Sequence, residues 1–173
     1  IEGIGDKHVP WIHNLRNTAL LVAIDDAAPM TLLRLFNEPA GAEYLVRAGL
    51  PESLVRDLPL LGISGISNLL SAVKLARWYE LGSNDVVVTV LTDSMDLYVS
   101  RVAELRELEG PFDATGAAIA HHRWMLGATT DHMAELGYWE RKRLHNLKYF
   151  TWVEQQGKTA AELDALWAPG WWE

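Results

Sequence analysis

The chain has no cysteine in its 173 residues. That excludes disulfides and thiolate metal sites, and makes the reducing cytoplasm the expected compartment. It also lacks an excess of positive charge: 15 Lys and Arg stand against 23 Asp and Glu, a formal net charge of −8. A phosphate backbone demands clustered cations, so no nucleic-acid partner is expected. No apolar run approaches the roughly 20 residues of a spanning helix, so no membrane partner is expected either. Two nucleotide signatures are missing, the Gly-Lys-Ser/Thr of a P-loop and the three spaced glycines of a dinucleotide turn. The initiator methionine is missing too, and the opening "IEGIGDKH" reads as a cut through a longer protein.

What is present describes an ordinary globular protein, 49% hydrophobic and 22% charged. "ALLVAID" (19–25), "LPLLGIS" (58–64) and "DVVVTVLTD" (85–93) read as buried strands, the last β-branched and apolar on both faces. "PMTLLRLFNE" (29–38), "ISNLLSAVKLARWYELG" (66–82) and "MDLYVSRVAELREL" (95–108) read as helices, and 39–57 as an inserted helical hairpin. Strands alternating with helices predict an α/β fold: a mainly parallel open sheet with flanking helices, carrying ligands at the strands' carboxyl ends. After Gly110 the pattern turns wholly helical. The expected division is 1–110 for the sheet domain and 111–173 for a helical extension packed on it. Within that extension 129–157 reads as one long helix or two, and "TAAELDALW" as a short helix capped by Thr159. The tail "PGWWE" is expected to pack at an interface or against the missing half of the parent.

Three features carry chemistry. The turn "GISGISN" offers backbone N–H groups, a helix start and short hydroxyls at one point. Its plain reading is that Ser64 or Ser67 caps the helix. It is not a nucleophile elbow, because Gly65 follows Ser64 directly, and no histidine but His8 falls near a strand end, so a serine hydrolase is a weak alternative. The six histidines show no ligand spacing: the adjacent His121 and His122 point about 100° apart on a helix, and no metal site is expected. "EGIGDKHVP" (2–10) holds two glycines two apart before Asp6 and Lys7, suiting a backbone that passes close to a ligand, or simply a tight turn. The eight tryptophans are read as packing residues, since a stacking platform needs a basic groove.

Together these segments resemble the β family of pyridoxal-phosphate enzymes, that of cysteine synthase, cystathionine β-synthase and the tryptophan synthase β chain. "EGIG" resembles the family's Glu-Gly-Ile-Gly loop. "LLGISGISNLLSAVKLA" resembles its Gly-Ile-Ser-Ser-Gly turn and helix, and "VVVTVLTDSMDLYVSRV" its strand ending in Pro-Asp-Ser. The likeness covers residues 2–105 apart from 39–57. It implies the cofactor pyridoxal 5′-phosphate, with Ser64 bonded to the pyridine nitrogen, Gly3, Ile4 and Gly5 along the ring's edge, and Asp93 and Ser94 closing its far side. Asp6 and Lys7 would face an amino-acid substrate bearing a leaving group at Cβ, in β-elimination or β-replacement. A hydroxyl does not hold the ring nitrogen protonated as a carboxylate does. The resemblance places the Schiff-base lysine upstream, since Lys7, Lys74, Lys142, Lys148 and Lys158 do not sit in the family's lysine motif. It implies a homodimeric parent of which this chain is the C-terminal part, inactive alone. The alternative is a non-catalytic homologue serving assembly or regulation.

Overall fold

Local pattern decides most helices of this chain, while the expected sheet fails for want of partners. The computed structural model describes residues 8–171, without the side chain of Trp171, and the chain falls into two units. The first spans 23–132; the second joins 8–22 to 133–171. The expected division at 110 does not coincide with either boundary.

In the first unit α1 (Ala27–Asn37) begins where Asp25 Oδ1 accepts the Ala27 N–H at 2.8 Å. It buries Leu32, Leu33, Leu35 and Phe36, each side chain contributing about 1.5–3 kcal/mol. Glu38 ends α1 in extended conformation, as a residue before proline must, and Pro39 opens α2 (Pro39–Arg47). The two helices touch so closely at Gly41 that a Cβ there would lie 2.0 Å from the Leu35 carbonyl oxygen. α3 (Glu52–Asp57) follows, so the 39–57 segment is the helical pair expected. A short 3-10 turn (Leu58–Leu60) leads to α4 (Ile63–Trp78), which lays Ile66 and Leu70 against α1. α5 (Val99–Glu109) adds Val102, and α6 (Ala114–Ala120) adds Ala117 and Ala120 before running into a π-helical turn (His121–Leu126).

One buried charge network ties these helices together. Arg34, 2% exposed, donates to Glu38 at 2.7 Å, to Glu109 at 3.1 Å and to the Gly110 carbonyl at 2.8 Å. Arg106 donates to the other oxygen of Glu38 at 2.9 Å. With the Phe112 ring at 5.0 Å from its guanidinium, Arg34 spreads its donors over two carboxylates and a carbonyl while stacking on an aromatic face, as guanidinium can and ammonium cannot.

In the second unit β1 (Leu20–Val22) pairs antiparallel with β2 (Met133–Glu135), Leu21 opposite Ala134. α7 (Tyr138–Asn146) then passes through a π-helical turn (Tyr149–Val153), and α8 (Ala160–Ala165) starts at Thr159 with a complete capping box. Leu15, Leu136, Leu163 and Leu166 are its buried apolar residues.

The mainly parallel open sheet is therefore overturned: among the described residues the only sheet is this two-stranded antiparallel pair. Each expected strand fails for its own reason. The 19–25 run keeps three residues as β1, half-exposed, because its partner is a short segment expected in a helix. In 58–64, Pro59 sits in the 3-10 turn and Gly62 hands the chain straight to α4. The 85–93 run has the right side chains but forms no ladder, and its valines stand in solvent, Val86 85% and Val88 87% exposed. A strand is completed by its neighbours, and β propensity alone supplies none.

Candidate cofactor site

The residue before α4, Gly62, is its N-cap, and no side chain caps the helix. The plain reading of the two serines is thus corrected. Ser67 Oγ, buried, donates back to the Ile63 carbonyl at 2.9 Å. Ser64 lies half-buried in the first turn, and its hydroxyl has no hydrogen-bond partner among the described residues. The first N–H groups of a 16-residue helix and one uncommitted hydroxyl therefore share this turn.

Asp93 comes to the same place from a distant part of the sequence. The Gly62 N–H donates to the Asp93 carbonyl at 2.9 Å, and Asn68 Nδ2 donates to the Val90 carbonyl at 2.9 Å. Contact this close needs glycine at 62: a Cβ there would lie 2.3 Å from Asp93 Oδ1 and 2.8 Å from the Tyr98 ring. The Asp93 carboxylate accepts a very short hydrogen bond from the Tyr98 hydroxyl. That bond, with burial and the carboxylate's charge behind it, pushes the Tyr98 phenol up to about 12. Ser94 serves locally, its Oγ accepting the Asp96 N–H at 3.4 Å and donating to the Asp96 carboxylate at 3.2 Å. Of the expected contact residues, Ser64, Asp93 and Ser94 therefore gather at one turn. Gly3, Ile4, Gly5, Asp6 and Lys7 lie outside the described residues.

The residues at this turn fit one part of a pyridoxal phosphate, its ring nitrogen, through the uncommitted Ser64 hydroxyl. Asp93 and Ser94 are spent on Tyr98 and Asp96 and fit the ring less directly. The four described lysines are all engaged. Lys74 bonds Asp131 at 2.9 Å, and Lys148 bonds the Trp11 and His13 carbonyls at 2.8 Å each. Lys158 bonds Glu162 at 3.4 Å, and Lys142 lies over the Trp167 ring.

At the other end of α4, about 15 Å along its axis, is a cavity of about 270 Å³ that sequence reading missed. Lys74, 9% exposed, reaches Asp131 there, and Asp131 also accepts a short bond from the Thr129 hydroxyl. Thr129 first and Lys74 second hold the Asp131 carboxyl at about 2. The signal was present in the i+4 series Ile66, Leu70, Lys74, which sets a lysine on the buried stripe.

The histidines are committed elsewhere. His121 Nδ1 meets the Tyr44 hydroxyl at 3.3 Å, His145 Nε2 meets the Leu163 carbonyl at 2.9 Å, and His13 Nε2 meets Thr18 at 3.0 Å. Neither Ser64 nor Ser67 has a histidine partner among the described residues, and no group of three metal-ligating side chains occurs among them. No described helix is long and apolar enough to cross a membrane. Comparison with protein families, curated proteins and solved structures finds no match to this chain.

Proposed function

We propose that this chain supplies the ring-nitrogen side of a pyridoxal 5′-phosphate site, in an enzyme of β-elimination or β-replacement acting on an amino acid with a leaving group at Cβ. The observation that carries the reading is the meeting of two of the segments that resemble the cysteine synthase family. Gly62 donates to Asp93 at 2.9 Å, beside a Ser64 hydroxyl that no group among the described residues claims. The cofactor, when bound, supplies an electron sink for bond cleavage at the substrate. Ser64 holds the pyridine nitrogen through a neutral hydroxyl, leaving it unprotonated and the sink moderate. The Asp93 carbonyl fixes Gly62 and so fixes where the first turn of α4 points. The Tyr98 hydroxyl locks the Asp93 carboxylate, keeping that loop against the turn. The four described lysines are engaged elsewhere, Lys7 lies outside the described residues, and the resemblance assigns the Schiff base to none of them. The parent is proposed as a cytoplasmic homodimer.

A second reading, a non-catalytic homologue for assembly or regulation, draws on one observation. Val86, Val88, Val90 and Leu91 form an exposed apolar run of the kind that marks contact surfaces. The two are separated in the complete protein by binding of pyridoxal phosphate and by release of the leaving group from β-substituted alanines. The enzyme reading expects both in the wild type, with Ser64→Ala keeping the cofactor and losing most of the turnover. A complete protein that takes up no pyridoxal phosphate overturns it.

A further inference from the structure

Around the Trp167 ring the second unit gathers cations that no acid among the described residues pairs. The Arg16 guanidinium lies 5.8 Å from the ring centroid and the Lys142 ammonium 4.7 Å. The arginines are held by main-chain carbonyls: Arg16 Nη1 donates to Trp167 at 2.7 Å, and Arg141 Nη1 to Arg16 at 3.2 Å. Among the described residues Arg16, Arg141 and Lys142 have no ion-pair partner. In a chain of net charge −8, acids to pair them are not scarce.

One donor of this cluster is orphaned. Arg141 Nε is buried and has no hydrogen-bond partner among the described residues, a condition native structures rarely leave unexplained. Beside it is a cavity of about 280 Å³ lined by Arg16, Leu136, Gly137, Tyr138, Arg141 and Trp167. Gly137 is the N-cap of the nine-residue α7, and no side chain caps the first-turn N–H groups there. Two walls are aromatic, the Tyr138 and Trp167 rings meeting edge to face at 6.0 Å. Two acids are close by: Glu140, exposed, whose Oε2 lies 2.8 Å from where a Gly137 Cβ would begin, and Asp164, whose carbonyl accepts the Trp167 N–H at 3.0 Å.

We infer that this cavity binds a small planar organic anion, a carboxylate or phosphate monoester on a single ring. The acid group takes the donors that the guanidinium ends of Arg16 and Arg141 leave free and the uncapped start of α7. The ring lies along Trp167 and Tyr138. Guanidinium presents its N–H groups in a planar fork that matches carboxylate and phosphate oxygens. The volume is at the lower end of ligand pockets, which suits one ring and one acid group. This site is in the second unit and does not depend on the Ser64 reading.

The test follows the Arg141 Nε–H and the Gly137 and Tyr138 amides of the full chain by ¹⁵N-edited NMR. Phenyl phosphate, benzoate, inorganic phosphate and neutral benzyl alcohol are the probes. The expected result is saturable shifts at these groups with phenyl phosphate and benzoate, the tighter of the two naming the preferred acid group. Inorganic phosphate should bind about tenfold more weakly for lack of the ring contact, and benzyl alcohol should leave the Arg141 signal unmoved. Arg141→Gln, with an unchanged circular dichroism spectrum, should lower affinity about tenfold through the lost charge-assisted contact. Should that variant fail to fold, Glu140→Gln at an exposed position takes its place, raising affinity about threefold by removing a competing charge. The inference is overturned by the absence of saturable shifts at millimolar phenyl phosphate, by inorganic phosphate binding as tightly, by wild-type affinity in folded Arg141→Gln, or by no gain in Glu140→Gln.

Discussion

The two units handle buried positive charge in opposite ways. In the first, each buried cation meets a carboxylate: Arg34 with Glu38 and Glu109, Lys74 with Asp131. In the second, the cations lean on backbone. Lys148, with none of its surface exposed, bonds the Trp11 and His13 carbonyls, Arg141 bonds the Arg16 carbonyl and Arg16 that of Trp167. A carbonyl satisfies hydrogen bonds but does not cancel charge. The first unit's buried charges thus complete themselves, whereas in the second Arg16, Arg141 and Lys142 have no ion-pair partner among the described residues, and an external anion can answer them.

The largest effect should come from breaking the self-completed network. Glu38, 5% exposed, joins Arg34 to Arg106. Glu38→Gln leaves Arg34 buried with a weaker partner and should destabilise the first unit by about 3–5 kcal/mol. Urea unfolding followed by signals of the first unit measures this. Arg34→Met combined with Glu38→Leu should cost much less than the sum of the single changes, because no lone charge then remains. Additive losses would mean the pair is not a unit.

Next comes Lys148, where backbone stands in for acid. Burial pulls its amine down to about 8 from an ordinary 10.5. Between those values the unfolded chain holds more protons than the folded one, so stability of the second unit should rise with pH across that window. Lys148→Met should flatten the rise and cost about 1–3 kcal/mol at neutral pH, since two carbonyls lose their donor. A profile that falls from pH 8 to 10 in the wild type would show that the ammonium is better solvated than the geometry implies.

The same contrast explains what could be read in advance. α1, α2, α3 and α8 were legible because proline at a first turn, the Thr159 capping box and apolar spacing act within a few residues. The strands were not, because a ladder is a relation between segments. β1 needed Met133–Glu135, which the 129–157 helical pattern hid, although the turn at His132, with φ +53°, and Gly137 break that helix. The Ser64 turn was misplaced for the same reason as the strands: 58–64 reads as a strand end with a serine cap, whereas Gly62 is the N-cap and Ser64 already stands inside α4. The Trp167 cluster was not legible, since Arg16 and Trp167 lie 151 residues apart in sequence and nothing local marks either.

A smaller effect should be seen at Asp131. Thr129 and Lys74 hold its carboxyl at about 2, below the ordinary 3.8. Its contribution is complete above the ordinary value and is lost as pH falls through about 2. Because the group is at the surface, Asp131→Asn should shift the acid-unfolding midpoint only slightly. A carboxyl titration by NMR that finds Asp131 at its ordinary value would show that Lys74 is buried without help from this acid, and the comparison between units would lose one of its two supports.

The smallest effect on stability should be that of Ser64→Ala, and its smallness is informative. A serine capping a helix costs about 1 kcal/mol when replaced by alanine, whereas a hydroxyl with no protein partner has little to lose. Ser64 stands inside the first turn, Gly62 holds the cap position, and the Ser64 hydroxyl bonds nothing among the described residues. The change should therefore leave the urea midpoint of the first unit within about 0.5 kcal/mol of wild type. Ser67→Ala is the control, since it removes a buried hydroxyl that does bond, to the Ile63 carbonyl at 2.9 Å. Should Ser64→Ala cost as much as a lost cap, its hydroxyl has a structural duty and the turn holds no uncommitted group for a ring nitrogen. Should it be silent in stability yet abolish turnover in the complete protein, the first unit too leaves one group waiting for a partner from outside.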